Sequence, residues 1–281
     1  MCCLFGFVDY AGSLSVKQRN RLIRELSIAA EARGTDATGI AYNTSRGLQV
    51  YKRPLAAHRL HLRIPAEARA VMGHTRMTTQ GSAKKNYNNH PFFGHVKEES
   101  FALAHNGVLW NDLELRHAKH LPRTKVQTDS YIAVQLLEQK KSLDFDSLRY
   151  MAEQVEGSFS FTVLDEQSAL WIVKGDSPLS IAYFPERGVY VYASTVEILN
   201  KALTRCGKQL GHRRTVEVEM GDLLKIDRRG HITRATFDAS KLCRPSWKYW
   251  SSSLYAEPPK TESEHIRLLK SVARAFGFTG E

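Results

Sequence analysis

Met1-Cys2-Cys3-Leu4-Phe5-Gly6-Phe7-Val8-Asp9-Tyr10 opens the chain, and the apolar run over residues 4–10 has the length of a strand. That strand begins almost at the amino terminus, with Cys2 at its leading end. Methionine before a small residue is normally trimmed, which makes Cys2 the first residue and sets its thiol beside a free α-amine. Such an amine has a pKa of roughly 7.7–8.0, so a large minority is neutral at pH 7 and able to take a proton. Thiol and base then come from one residue, without a histidine. A thiol of pKa ~8.5 beside that amine needs only a small shift to react as thiolate. Two plainer readings compete. A buried strand cysteine is common. Lipid attachment at Cys2-Cys3 calls for a myristoylation glycine or a polybasic stretch, and neither accompanies the pair.

Outward from this strand the pattern alternates between helix and sheet. Ser15 is placed to cap a helix running to about Arg33, with Leu22, Leu26 and Ala29 on one stripe. Residues 39–42 and 48–51 form a hairpin across 43–47. Residues 68–73 make an apolar strand that runs into His74-Thr75-Arg76. A long polar loop is expected over 78–99, then a strand over 101–108. Two helices follow, one from about Thr128-Asp129 to Lys140 and one over 145–155. Short strands fill most of 159–226, interrupted by a helix over 196–204. Many antiparallel strands with helices between them predict an α+β layered domain over residues 1–237. Residues 238–281 are expected to be a linker and a helical tail, with Ile266, Leu269, Val272 and Phe276 at helical spacing.

Composition narrows the function classes. Of the 281 residues 42% are apolar, enough for a substantial core. No apolar run reaches the ~18 residues that span a membrane, and the start has no basic leader, so a cytoplasmic protein without a membrane partner is expected. The four cysteines form no CxxC pair and no histidine pair stands near them at ligand spacing, so neither a metal nor a cofactor is expected. The net charge of +11 describes a basic surface. No basic stripe interleaved with aromatics and no zinc-finger or helix-turn-helix spacing accompanies it, which argues against nucleic acid as a partner.

Three further motifs bear chemistry. Arg76 ends an apolar strand next to Thr78 and Thr79, and arginine grips a carboxylate bidentately. Asn106-Gly107 follows the strand 101–104 and offers an amide and a backbone N–H as oxyanion donors, although the pair also suits a hairpin turn. Asp129 opens a helix, where it is either a cap or a carboxylate facing an ammonium.

With these segments in hand, the chain resembles the class II glutamine amidotransferase domain, the glutaminase portion of amidophosphoribosyltransferase and glucosamine-6-phosphate synthase. The matching pieces stand in family order over residues 2–235: Cys2 with Leu4-Phe5-Gly6, Arg33-Gly34-Thr35-Asp36-Ala37-Thr38-Gly39-Ile40-Ala41, His74-Thr75-Arg76 through Gly81, Asn89-His90-Pro91, His105-Asn106-Gly107, Thr128-Asp129-Ser130, and Glu156-Gly157-Ser158-Phe159-Ser160-Phe161. The resemblance implies a four-layer αββα sandwich of the Ntn-hydrolase type, two antiparallel sheets between helical layers. It implies that Cys2 attacks the side-chain amide of glutamine and that Asn106 and Gly107 stabilise the oxyanion. Arg76, helped by Thr79, would hold the substrate carboxylate, and Asp129 its ammonium. His90 would belong to a loop that gates the pocket, and Arg33 and Asp36 would be scaffold. Cys3 and Met77 depart from the family pattern, which usually has glycine and often an aromatic there. About 45 residues follow the domain, too few for an ammonia-consuming domain, so the expectation is a stand-alone glutaminase subunit with a separate acceptor protein. The alternatives are an Ntn-hydrolase for another amide and a silent regulatory or binding module on the same fold.

Overall fold

The computed structural model describes residues 2–206 and 210–242. Strand β1 (Cys3–Asp9) is buried along its whole length, so both of its faces are covered. Strand alternation divides the cover. Cys3, Phe5 and Phe7 share a core with Leu22, Ile23, Leu26 and Ala202, whereas Leu4 and Val8 share one with Met72, Ala102 and Leu164. The first set faces helices and the second faces another sheet.

β1 is the middle strand of an antiparallel seven-stranded sheet. Its other strands are β2 (Ala37–Thr44), β3 (Gly47–Arg53), β4 (Ala70–Arg76), β9 (Ser180–Phe184), β10 (Val189–Ala193) and β11 (Arg214–Val216), in the order β11-β9-β10-β1-β4-β2-β3. The second sheet has six antiparallel strands: β5 (Phe92–His95), β6 (Ser100–Leu109), β7 (Gly157–Asp165), β8 (Leu170–Lys174), β12 (Asp222–Ile226) and β13 (Ile232–Thr236), in the order β13-β12-β8-β7-β6-β5. Helices α1 (Val16–Ala30) and α5 (Val196–Cys206) cover the first sheet. Helices α3 (Tyr131–Lys140) and α4 (Phe145–Gln154) cover the second, with Ile132, Leu136, Leu148 and Met151 packed on Phe101, Phe159 and Phe161. This is the four-layer αββα sandwich expected from the sequence. Among the described residues no helix is long and apolar enough to cross a membrane.

Helix α1 begins on a reciprocal cap. Gln18 N donates to Ser15 Oγ at 3.3 Å, and Ser15 N donates to Gln18 Oε1 at 2.8 Å. Its α-helical part is shorter than the spacing predicted, because residues Glu31–Arg33 tighten into a 3-10 turn. Ser15→Ala removes one cap acceptor at an exposed position. It is expected to cost about 1 kcal/mol, a fall of roughly 2–4 °C in Tm on thermal melting; an unchanged Tm contradicts that role.

Two expectations need correction. The segment 78–99 is not one long loop: it holds a turn at Asn86–Asn88 and the edge strand β5, whose Phe92 pairs with Leu103. Four residues are too few to show a period, so pairing with β6 decides this strand. The structure also has a short helix α2 (Asp112–Ala118) that the pattern did not predict. The first compact unit runs from Met1 to Leu242. The expected linker and tail helix lie outside the described residues.

Candidate active site

Residue parity gathers the chemistry at one end of the sandwich. In the β1–β4 ladder Cys3 faces Thr75 and Leu4 faces His74, which brings Cys2 next to Arg76. Met72 of β4 and Ala102 and Ala104 of β6 point into the space between the sheets. Alternation carries that inner face on to Arg76 and Asn106. Leu4 does the same for Cys2. Three residues far apart in sequence thus meet between the two sheets because each sits an even number of positions from a core side chain.

Arg33, in the turn after α1, ties two of them together. Its Nε donates to the Cys2 carbonyl at 2.8 Å and its Nη2 to Asn106 Oδ1 at 3.5 Å. The second bond fixes the sense of the Asn106 amide. Oδ1 is turned to the guanidinium, and Nδ2 is a buried donor with no hydrogen-bond partner among the described residues. Gly107 follows with φ +144°, and a Cβ there would lie 1.8 Å from Ser158 O. Only glycine fits this backbone, whether or not its N–H is used.

The Cys2 thiol is 9% exposed and donates to Met77 O at 3.5 Å. Burial pushes it up from the ordinary thiol range, and the Met77 backbone and Arg76 pull it back. It is therefore a protonated thiol in the resting site and needs a base. Asp36 holds the same corner from outside, accepting from Thr78 N at 2.7 Å, while its own N–H donates to Arg76 O at 3.0 Å.

Arg76 and Asp129 are both buried. Nη1 of Arg76 donates to Asn89 Oδ1 at 2.7 Å, and Nη2 donates to the carbonyls of Gln80 and Gly81. Asp129 precedes α3; its Oδ2 accepts from Leu109 N at 2.6 Å and its Oδ1 from Ser130 Oγ at 3.3 Å. Gln80 connects the two poles, since its Oε1 also accepts from Asp129 N at 2.7 Å. Burial lowers the arginine and raises the aspartate, and each partly offsets the other. A buried cation and a buried anion held apart by one loop can take both ends of a zwitterion.

Two residues stand elsewhere than expected. Thr79 is exposed on the loop, and Gln80 and Gly81 supply the contacts to Arg76. His90 is 4% exposed, and its ring lies tilted between His74 at 4.2 Å and Phe92 at 4.3 Å. Burial holds His90 well below the usual imidazole range, and His74 and His105 at about 3, so all three are neutral at physiological pH.

The two-sheet sandwich with a cysteine at the head of its middle strand has a fold of the Ntn-hydrolase type. Residues 74–201 match the family model described as Glutamine amidotransferase domain. The chain is 31% identical over 184 residues to the glutamine–fructose-6-phosphate aminotransferase (isomerizing) of Bacillus licheniformis, covering 63% of this chain and 30% of that protein. The protein of the same name from Thermus thermophilus is 30% identical over 238 residues, covering 82% and 36%. The chain thus spans about a third of the length of these curated relatives. Among solved structures, the glutamine phosphoribosylpyrophosphate amidotransferase from B. subtilis superposes with TM-score 0.63 at 20% identity, over 84% of this chain and 49% of that one. An allosteric regulatory enzyme of purine biosynthesis gives 0.66 at 20% identity with the same coverage, a likeness of fold. Residues 74–201 thus match a glutamine amidotransferase domain, and the chain is homologous to part of these aminotransferases.

Proposed function

We propose that the chain is a glutaminase subunit that hydrolyses the side-chain amide of free glutamine to glutamate and ammonia, and that the ammonia passes to a separate acceptor protein. The observation that carries this reading is the unpartnered, buried Asn106 Nδ2, oriented by the same arginine that holds the Cys2 backbone. A donor kept unsatisfied in the resting site is stabilised only when charge develops on an oxygen placed before it.

In this reading Met1 is removed and the Cys2 α-amine takes the thiol proton. Sγ attacks the amide carbon, and its oxygen becomes an oxyanion held by Asn106 Nδ2 and the Gly107 N–H. The protonated amine returns its proton to the leaving nitrogen, the C–N bond breaks, and ammonia departs from a γ-glutamyl thioester. Water, deprotonated by the same amine, attacks the thioester; the C–S bond breaks and glutamate leaves with the thiol restored. Arg76 takes the α-carboxylate in exchange for its loop carbonyls, and Asp129 takes the α-ammonium. The names of the relatives, an aminotransferase and an amidotransferase, support transfer of the nitrogen onward.

The two poles set selectivity, because a peptide-bound glutamine brings neither buried charge a counter-charge. The test is glutamate release from free glutamine, from N-acetylglutamine and from the α-amide of glutamine. Only the first is expected to turn over, and Asp129→Asn is expected to raise its KM about 10- to 100-fold, the worth of a charged hydrogen bond. Equal turnover of the blocked substrates overturns the reading.

A further inference from the structure

Lys52 lies on β3, opposite Gly39 of β2, outside the elements that supply the residues discussed so far. Its ammonium is turned inward. Nζ donates to Asn89 O at 2.5 Å and to Pro91 O at 2.9 Å, the two carbonyls that flank His90, and stands 5.1 Å over the Phe92 ring. The 89–91 backbone lies directly on the β2–β3 ladder: a Cβ on Gly39 would be 2.1 Å from His90 O and 2.8 Å from Pro91 Cδ. Glycine at 39 therefore lets the segment descend to the reach of Lys52.

The segment so held is the one that orients Arg76. Asn89 Oδ1 accepts from Arg76 Nη1, and Asn89 Nδ2 is occupied by Ala83 O at 2.8 Å and Asn86 Oδ1 at 3.3 Å. Asn86 in turn donates to Lys52 O at 3.0 Å, so Lys52 grips the turn from two sides. The titratable groups facing Lys52 are Arg76, His74 and His90, with Arg53 donating to its backbone carbonyl. The two histidines are neutral. None of the ion pairs among the described residues includes Lys52 or Arg76. Among the described residues neither cation thus has a carboxylate within ion-pair distance, and the carboxylates acting on Arg76 from further off are Asp129 and Asp36.

We infer that Lys52 is a positioning residue for the substrate α-carboxylate: it pins the Asn89–Pro91 backbone that aims Arg76, and its unmatched charge adds to the field the carboxylate enters. The inference rests on the reading of Arg76 given above. Burial, and then Arg76, bring the Lys52 ammonium down to about 8. The carboxylate binds the protonated form better, so its affinity is complete below pH 8 and declines as pH rises through 8.

Glutamine binding to the full Cys2→Ala chain, measured by titration calorimetry from pH 6.5 to 9.5, tests this in Lys52, Lys52→Met and Lys52→Arg backgrounds. At pH 7 Lys52→Met is expected to bind about 10-fold more weakly, the worth of one charge-assisted contact, with Lys52→Arg within about 3-fold of Lys52. Arginine keeps its charge throughout, so the affinity ratio of Lys52→Arg to Lys52 is expected to rise through pH 8. Titration of the glutamine ammonium is common to both and cancels. With Cys2 present, Lys52→Met is expected to raise KM and leave kcat within about 2-fold. A folded Lys52→Met chain that binds like Lys52 overturns the inference. A ratio flat with pH overturns it too, and needs only Lys52→Arg should the methionine variant fail to fold. If the Cys2→Ala chain with Lys52 intact binds no glutamine, the Arg76 reading falls, and this inference with it.

Discussion

Replacing Cys2 by alanine is expected to lower glutamate release by about 10⁴-fold or more, the usual cost of removing a covalent nucleophile while binding and oxyanion contacts remain. The substitution is mild structurally. Among the described residues Sγ makes one long hydrogen bond, to Met77 O at 3.5 Å, and the Arg33 bond goes to the Cys2 carbonyl, which alanine keeps. Alanine is also small, so removal of Met1 is unaffected. The loss therefore belongs to chemistry, and thermal melting should show the variant folded. Burial raises the thiol from its ordinary range, so a nearby base assists its attack. Intact-mass measurement of the active protein should find Met1 absent, since an acylated α-nitrogen cannot take a proton. Turnover within tenfold of the native rate in Cys2→Ala removes the thioester from the mechanism.

Asn106→Ala is expected to lower kcat about 10²- to 10³-fold with little change in KM, the signature of a contact made chiefly in the transition state. Resting-site geometry separates this effect from stability. Among the described residues Nδ2 has no hydrogen-bond partner to lose, and Oδ1 gives up a 3.5 Å contact with Arg33. A stability loss of no more than roughly 1 kcal/mol follows, so kinetics and melting should diverge. A rise in KM at constant kcat instead places Asn106 in ground-state binding and returns the oxyanion to Gly107 alone.

Sequence and tertiary structure contributed differently to these assignments. The apolar run over residues 4–10, the Ser15 cap and the apolar strands ending at Arg76 and before Asn106 are local signals, and they place strands of both sheets and two of the candidate site residues. Cys2 needed only its position. The tail at 243–281 lies outside the described residues and adds nothing to either side.

Other features depend on contacts that residue type does not encode. Lys52 acts through backbone carbonyls of Asn89 and Pro91, and every residue has a carbonyl. Gln80 reaches both Arg76 and Asp129 only because the 77–81 loop folds back across the site. The same fold leaves Thr79 exposed and buries His90, where the resemblance had implied help for Arg76 and a place in a gating loop. Alternation and capping are read from neighbours a few positions apart, so the residues able to do the chemistry are legible in chain order. Which of them meet, and what holds them in place, follows from bonds that join segments tens of residues apart through main-chain atoms common to all.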